Sequence, residues 1–165
     1  MNVLSLFEKV KVFVFDIDGV LTDSMLHVQE SGELLRRMNI KDGYALQLAV
    51  KKGYKVWIIS GGHSNASKRR LNNLGVMDVF IGVEDKLGKL NEMIEASGIS
   101  PENVLFMGDD MPDIPSMKSC ALATCPNDAA VEVCNISQYI SPLKGGMGCV
   151  RDVIEKVLKI NGHWE

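Results

Sequence analysis

Asp16 and Asp18 stand two residues apart in FVFDIDGVLTDS, directly behind the strand-like run Val10–Phe15. Ser60-Gly61-Gly62 closes a second such run, Lys55–Ile59. Gly108-Asp109-Asp110 closes a later one, Val104–Met107, with Asp113 just behind and Lys86 opening a helical stretch in between. A single aspartate at a strand end is most often a cap or turn residue, and a lone Ser-Gly or lysine says little. The ordered combination says more. Carboxylates gathered at one point repel each other unless a cation sits among them. A hard divalent cation with oxygen ligands, Mg²⁺ first, meets that need. With a phosphate ester as substrate, Mg²⁺ neutralises phosphate oxygens and lets an anionic carboxylate approach phosphorus. Asp16 can then attack and form an aspartyl-phosphate. Asp18 can protonate the leaving oxygen and later activate water. Ser60, Gly61 and Lys86 can hold the remaining phosphoryl oxygens by a hydroxyl, a backbone amide and a point charge.

Such groups need a frame that delivers them to one place. Short apolar runs alternate with amphipathic stretches throughout the 165 residues. Val10–Phe15, Lys55–Ile59, Val79–Ile81, Val104–Met107, Ala121–Thr124 and Tyr139-Ile140 read as buried parallel strands, continuous rather than alternating. Lys41–Lys52, Ser64–Leu74, Lys86–Ser97 and Met147–Ile160 read as helices, three of them stopped by Gly53, Gly75 and Gly98. Strand–helix alternation predicts a doubly wound, Rossmann-like α/β sheet in a single domain over 1–165. In such sheets ligands bind beyond the carboxyl ends of the strands, where these polar groups gather. Residues 24–39 break the alternation: two short runs flank Glu30-Ser31-Gly32 and predict a projecting β-hairpin.

Composition narrows the function classes. Apolar residues make up 46% and charged residues 24%, values of an ordinary globular chain rather than a disordered or fibrous one. The net charge of −3 argues against a nucleic-acid partner. No apolar run approaches the ~20 residues of a membrane span, and the N-terminal residues lack signal-peptide order. A cytoplasmic location is expected. Cys120, Cys125, Cys134 and Cys149 show no C-x-x-C spacing and read as reduced, buried thiols.

FVFDIDGVLTDS resembles the first motif of the haloacid dehalogenase superfamily of phosphotransferases, and IISGG, DKLGKL and MGDDMPD resemble its other three, in order. The resemblance implies Asp16 as nucleophile and Asp18 as general acid/base whose backbone carbonyl also binds Mg²⁺. It implies Asp109 as a further metal ligand, with Asp110 and Asp113 supporting the site. There is no room for a large cap domain between Asp18 and Ser60 or between Lys86 and Asp109. NIKDGYALQLAV, RRLNNLG and LKGGMGCVRDV look like the capless 3-deoxy-D-manno-octulosonate 8-phosphate phosphatases, which make a lipopolysaccharide precursor as homotetramers with centrally packed hairpins. The implied substrate is a phosphorylated keto-deoxy sugar acid. Asn39, Lys41, Asp42 and Gly43 favour the eight-carbon acid, and Lys41 and Arg70 could pair with its carboxylate or phosphate. The chain departs from the family at Gly62, where Arg is frequent, and at Met147 in GGMG. A nine-carbon keto-deoxy acid 9-phosphate is the alternative substrate. A receiver-like signalling domain is a remote alternative, disfavoured because Val79–Gly82 carries no aspartate.

The segment 24–39 carries Met25, Leu26, Val28, Leu34, Leu35 and Met38, too apolar for a freely solvated hairpin. Its burial is expected against identical chains. His163 and Trp164 fall in a C-terminal tail, where fraying is the default expectation.

Overall fold

The computed structural model describes residues 2–165. The central sheet comprises β1 (Val12–Phe15), β4 (Lys55–Ile59), β5 (Asp78–Phe80), β6 (Val104–Met107), β7 (Leu122–Cys125) and β8 (Tyr139–Ile140). β2 (His27–Val28) and β3 (Leu34–Leu35) pair antiparallel as a separate hairpin. The six strands run parallel in the order β5-β4-β1-β6-β7-β8. β1 therefore lies at the centre, where the winding reverses between β4 and β6. In doubly wound sheets that reversal opens a crevice at the carboxyl ends of the strands.

Each central strand feeds two cores because alternate residues face opposite sides. Phe13 and Phe15 of β1, Val56 and Ile58 of β4, and Leu105 and Met107 of β6 enter one core. Val12, Val14, Trp57, Ile59, Val104 and Phe106 enter the other. That double burial is why the runs read as continuous apolar stretches. The first core is covered by α1 (Val3–Lys9), α2 (Ile40–Lys51) and α7 (Cys149–Ile160). α7 presents Val150, Val153, Ile154, Val157 and Leu158, all fully buried. Burying each such side chain contributes roughly 1.5–3 kcal/mol. α3 (Asn65–Asn73) adds Leu71 to the same core. The second core is covered by α4 (Lys86–Ser97), α5 (Ile114–Lys118) and α6 (Val131–Ile136).

Caps set the helix ends that matter for the site. Asn39 caps α2, accepting from the Lys41 N–H at 2.8 Å. Ser64 caps α3 and Asp85 caps α4. Asp42 Oδ1 accepts the Arg151 N–H at 2.8 Å and fastens α2 to α7.

Three elements lay outside the sequence reading: α1, α5 and α6, the last two only five and six residues long. Helices that short carry no readable period. The tail does not fray as expected. Trp164 packs edge-on against Tyr44 at 6.2 Å and lies over the Arg151 guanidinium at 5.1 Å, and His163 Nδ1 meets the Tyr54 hydroxyl at 2.8 Å. The four cysteines are free thiols; burial pushes those of Cys120 and Cys125 up to about 12.

Candidate active site

β1 ends at Phe15, and Asp16 begins the turn beyond it. The Asp16 side chain accepts its neighbour's amide, Ile17 N–H, at 2.7 Å. The turn closes when Thr22 N–H reaches the Ile17 carbonyl at 3.1 Å. Gly19 within it has φ +89°, and a Cβ there would lie 1.8 Å from Asp109 Oδ2. Two independent constraints thus demand glycine: a left-handed backbone and a carboxylate packed against it. β6 ends at Met107 and delivers Asp109 to this point from the other side of the reversal. The Gly145-Gly146 pair seals the turn from behind; a Cβ on Gly145 would lie 2.0 Å from the Gly19 carbonyl oxygen.

Asp16, Asp109 and Asp113 can each offer a carboxylate oxygen within 4.8 Å of the others. Lys86, at the first turn of α4, threads between two of them. Its Nζ lies 2.9 Å from Asp16 Oδ2 and 2.8 Å from Asp113 Oδ1, and all three side chains are buried. Asp113 also accepts the Asp109 and Asp110 N–H groups at 3.1 and 3.4 Å. Its oxygens are therefore committed to shaping the loop and seating Lys86. Asp110 turns to cap the segment, accepting Met111 N–H at 2.8 Å.

Electrostatics matches that crowding. Burial, reinforced by Asp113, raises Asp16 to about 7 although Lys86 opposes it. Burial, then the charges of Asp16, Asp113 and Asp110, raises Asp109 to about 8. Burial depresses Lys86, but Asp16 and Asp113 outweigh it and hold the ammonium above the usual lysine range. A buried and a half-buried carboxyl group that resist ionisation side by side form a donor set suited to a hard divalent cation.

These groups floor a cavity of about 670 Å³. Ser60 and Gly61 line its wall, Ser60 Oγ accepting the Gly62 N–H at 3.2 Å. Asp18 also lines it, but its side chain stands apart from the buried carboxylates and pairs with Arg36. Asp16, Asp18, Ser60, Gly61, Lys86, Asp109, Asp110 and Asp113 therefore converge.

The remaining sequence candidates do not reach this cavity. Asn39 is spent as a helix cap. Asp42 is buried beneath Arg151, and burial raises it to about 6. Gly43 gives room to Arg70, whose Nη2 would lie 3.0 Å from a Cβ at that position. Arg70 lines a small hollow with Met38 and Asn39, and Lys41 lines a separate groove with Met147 and Arg151. Conversely, Arg36, Ser24 and Glu84 were absent from the sequence candidates. Ser24 lines the cavity with φ +66°, a left-handed conformation rare outside glycine. Arg36 carries one weak signal, a basic pair with Arg37 between the apolar Leu34-Leu35 and Met38.

Comparison with known proteins agrees with this geometry. Residues 39–120 match the model of the haloacid dehalogenase-like hydrolases. The 3-deoxy-D-manno-octulosonate 8-phosphate phosphatase of Salmonella typhi is 31% identical over 98% of this chain and 86% of its own length. The crystal structure of the phosphatase of that name from Yersinia pestis superposes with TM-score 0.94 at 29% identity, covering 98% of this chain and 87% of that one. The Moraxella catarrhalis phosphatase, solved in complex with magnesium ion, phosphate ion and KDO molecule, superposes with TM-score 0.92 at 28% identity, covering 96% of this chain and 91% of that one. The chain, with its aspartate-bearing turn and carboxylate cluster at the reversal of a parallel sheet, belongs to the haloacid dehalogenase-like hydrolases, in their 3-deoxy-D-manno-octulosonate 8-phosphate phosphatase family.

Proposed function

We propose that this protein hydrolyses 3-deoxy-D-manno-octulosonate 8-phosphate to the free sugar acid and inorganic phosphate, a step toward lipopolysaccharide precursors. The observation that carries the reading is the cluster of Asp16, Asp109 and Asp113 around Lys86 at the floor of the cavity. Asp16 and Asp109, with the Asp18 backbone carbonyl, would hold Mg²⁺, and Asp110 and Asp113 would support them. When bound, the ion neutralises phosphate charge and lets a carboxylate approach phosphorus. An Asp16 oxygen attacks phosphorus, the bond to the sugar's terminal oxygen breaks, and Asp18 gives that oxygen a proton. Asp18 then takes a proton from water, whose oxygen attacks phosphorus and releases Asp16 with phosphate. Ser60, Gly61 and Lys86 hold phosphoryl oxygens throughout.

The apolar hairpin supports a homotetramer, and the free thiols support a reducing, cytoplasmic location. Among the described residues no helix is long and apolar enough to cross a membrane. The test is phosphate release with Mg²⁺ from the eight-carbon and nine-carbon keto-deoxy acid phosphates, side by side. Preference for the eight-carbon ester, abolished by chelator and restored by Mg²⁺, is expected. Preference for the nine-carbon ester, or undiminished activity after metal stripping, would overturn the reading.

A further inference from the structure

We propose that Arg36 is a specificity-determining positioning residue: it holds Asp18 engaged until the carboxylate of a sugar-acid substrate draws its guanidinium away. The inference rests on the substrate class proposed above. Arg36 Nε donates to Asp18 Oδ1 at 2.6 Å and Nη2 donates to Oδ2 at 3.1 Å. This is the two-pronged geometry in which a guanidinium grips a carboxylate most firmly. Each oxygen keeps a free lone pair, but the fork fixes the direction of both, so Asp18 turns toward a leaving group only as the grip opens. The Arg36 side chain is only 9% exposed, while that of Asp18 is 37% exposed, so the guanidinium is held inward and the carboxylate faces the cavity mouth. Gly62 makes the space: a Cβ there would lie 2.9 Å from Asp18 Oδ2 and 3.2 Å from Arg36 Nη2.

The charges in the cavity say what could open the grip. Among the described residues Lys86 is the one cation lining it, and it is already bound to Asp16 and Asp113. A keto-deoxy acid phosphate brings a carboxylate as well as a phosphate. Among the lining residues no uncommitted cation waits for that carboxylate; Arg36 adjoins the cavity through Asp18. Trading one carboxylate partner for another leaves the guanidinium nearly as well satisfied, so an acidic substrate opens the grip at little net cost. A phosphate ester without a carboxylate must break the pair unaided. The ion pair thus discriminates by differential interaction with two substrates rather than by added affinity for one.

The experiment compares kcat/KM for 3-deoxy-D-manno-octulosonate 8-phosphate with that for mannose 6-phosphate. Both release an alkyl alcohol that needs the acid, whereas an aryl phosphate does not. Wild-type preference for the sugar acid tests the substrate reading itself and is measured first. In Arg36→Ala the preference is expected to fall about tenfold or more, as befits the loss of one charge-assisted contact. A rise in kcat/KM on mannose 6-phosphate carries that fall. Arg36→Gln, which keeps the length without the charge, is expected to do the same if the alanine variant folds poorly. An equal change on both substrates, or a fall confined to mannose 6-phosphate, would overturn the proposal.

Discussion

Asp16 meets two opposing demands. In the proposed role of nucleophile it must be ionised, yet burial and Asp113 push its carboxyl up to about 7. Lys86 at 2.9 Å supplies part of the balance, and a divalent cation held by Asp16 and Asp109 would supply the rest. Asp16→Asn keeps the shape but has no anionic oxygen to attack phosphorus. Its kcat is expected to fall by about a thousandfold or more, with a thermal midpoint no lower than that of the wild type. Wild-type turnover in freshly purified variant would exclude Asp16 as nucleophile. Asp42 illustrates a different use of burial. Its Oδ1 is bonded to Arg151 N–H, while Oδ2 is buried without a partner. Burial raises this carboxyl from 3.8 to about 6. Between those values the folded state holds more protons than the unfolded, so stability declines as pH rises through that window and the deficit is complete above it. Asp42→Asn is expected to be the more stable protein at pH 8, by about 1–2 kcal/mol once its unpaired amide N–H is set against the gain. The advantage is expected to vanish near pH 4. Denaturant midpoints across that range decide it, and a less stable variant at pH 8 would mean that the charge itself is used.

The turn after β1 is the element on which the site depends. It places Asp16 and Asp18, leaves Asp109 room at Gly19, and rests on Gly145-Gly146. Gly145 has an ordinary backbone conformation, so its smallness is the requirement rather than its freedom. Gly145→Ala must displace the Gly19 carbonyl, because the added carbon would sit 2.0 Å from it. The expected result is a loss of about 1–3 kcal/mol in stability and a larger fractional fall in kcat than in KM, since the turn carries the reacting groups. Gly53→Ala serves as the control: it strains a left-handed backbone (φ +87°), but no atom lies near its Cβ and no site residue adjoins it. Equal kinetic effects at the two glycines would argue against the turn as the sensitive element. The hairpin is the complementary case. Its strands are two residues each and two-stranded ribbons are marginal alone, yet it reaches the turn through Arg36–Asp18 and Arg37–Asp23.

At the scale of the whole molecule, the hairpin leaves apolar surface uncovered. Met25, Val28 and Ile40 are at least 70% exposed, and Leu26, Leu34 and Leu35 more than 40%. Closed symmetric assemblies reuse one patch on identical chains, and a capless cavity gains a cover from a neighbour. Light scattering is expected to give a tetramer. Val28→Glu combined with Leu35→Glu is expected to reduce it to a smaller species and to weaken activity on the sugar-acid phosphate. A wild-type monomer with full activity would dismiss this arrangement.

Much of the architecture was legible because it is locally encoded. Strand runs such as Val104–Met107 and helix spans such as Lys86–Ser97 coincide with the structure to the residue. Their signals, apolar continuity and a glycine stop at Gly98, lie within a few neighbouring positions. The gathering of polar groups at the strand ends was legible for the same reason, since Asp16 and Ser60 follow a strand directly and Asp109 follows one after Gly108. Which of the other polar residues join them was not. Asn39, Lys41, Asp42 and Arg70 carry suitable groups, but the packing of α2 and α3 against the first core turns them from the cavity. Arg36 carries no local mark of its partner, because Asp18 comes within 2.6 Å only when the hairpin folds back over the β1 turn. Sequence determines which groups stand at strand ends; the direction of a loop or helix side chain is decided by backbone dihedrals and distant packing, which only the assembled fold supplies.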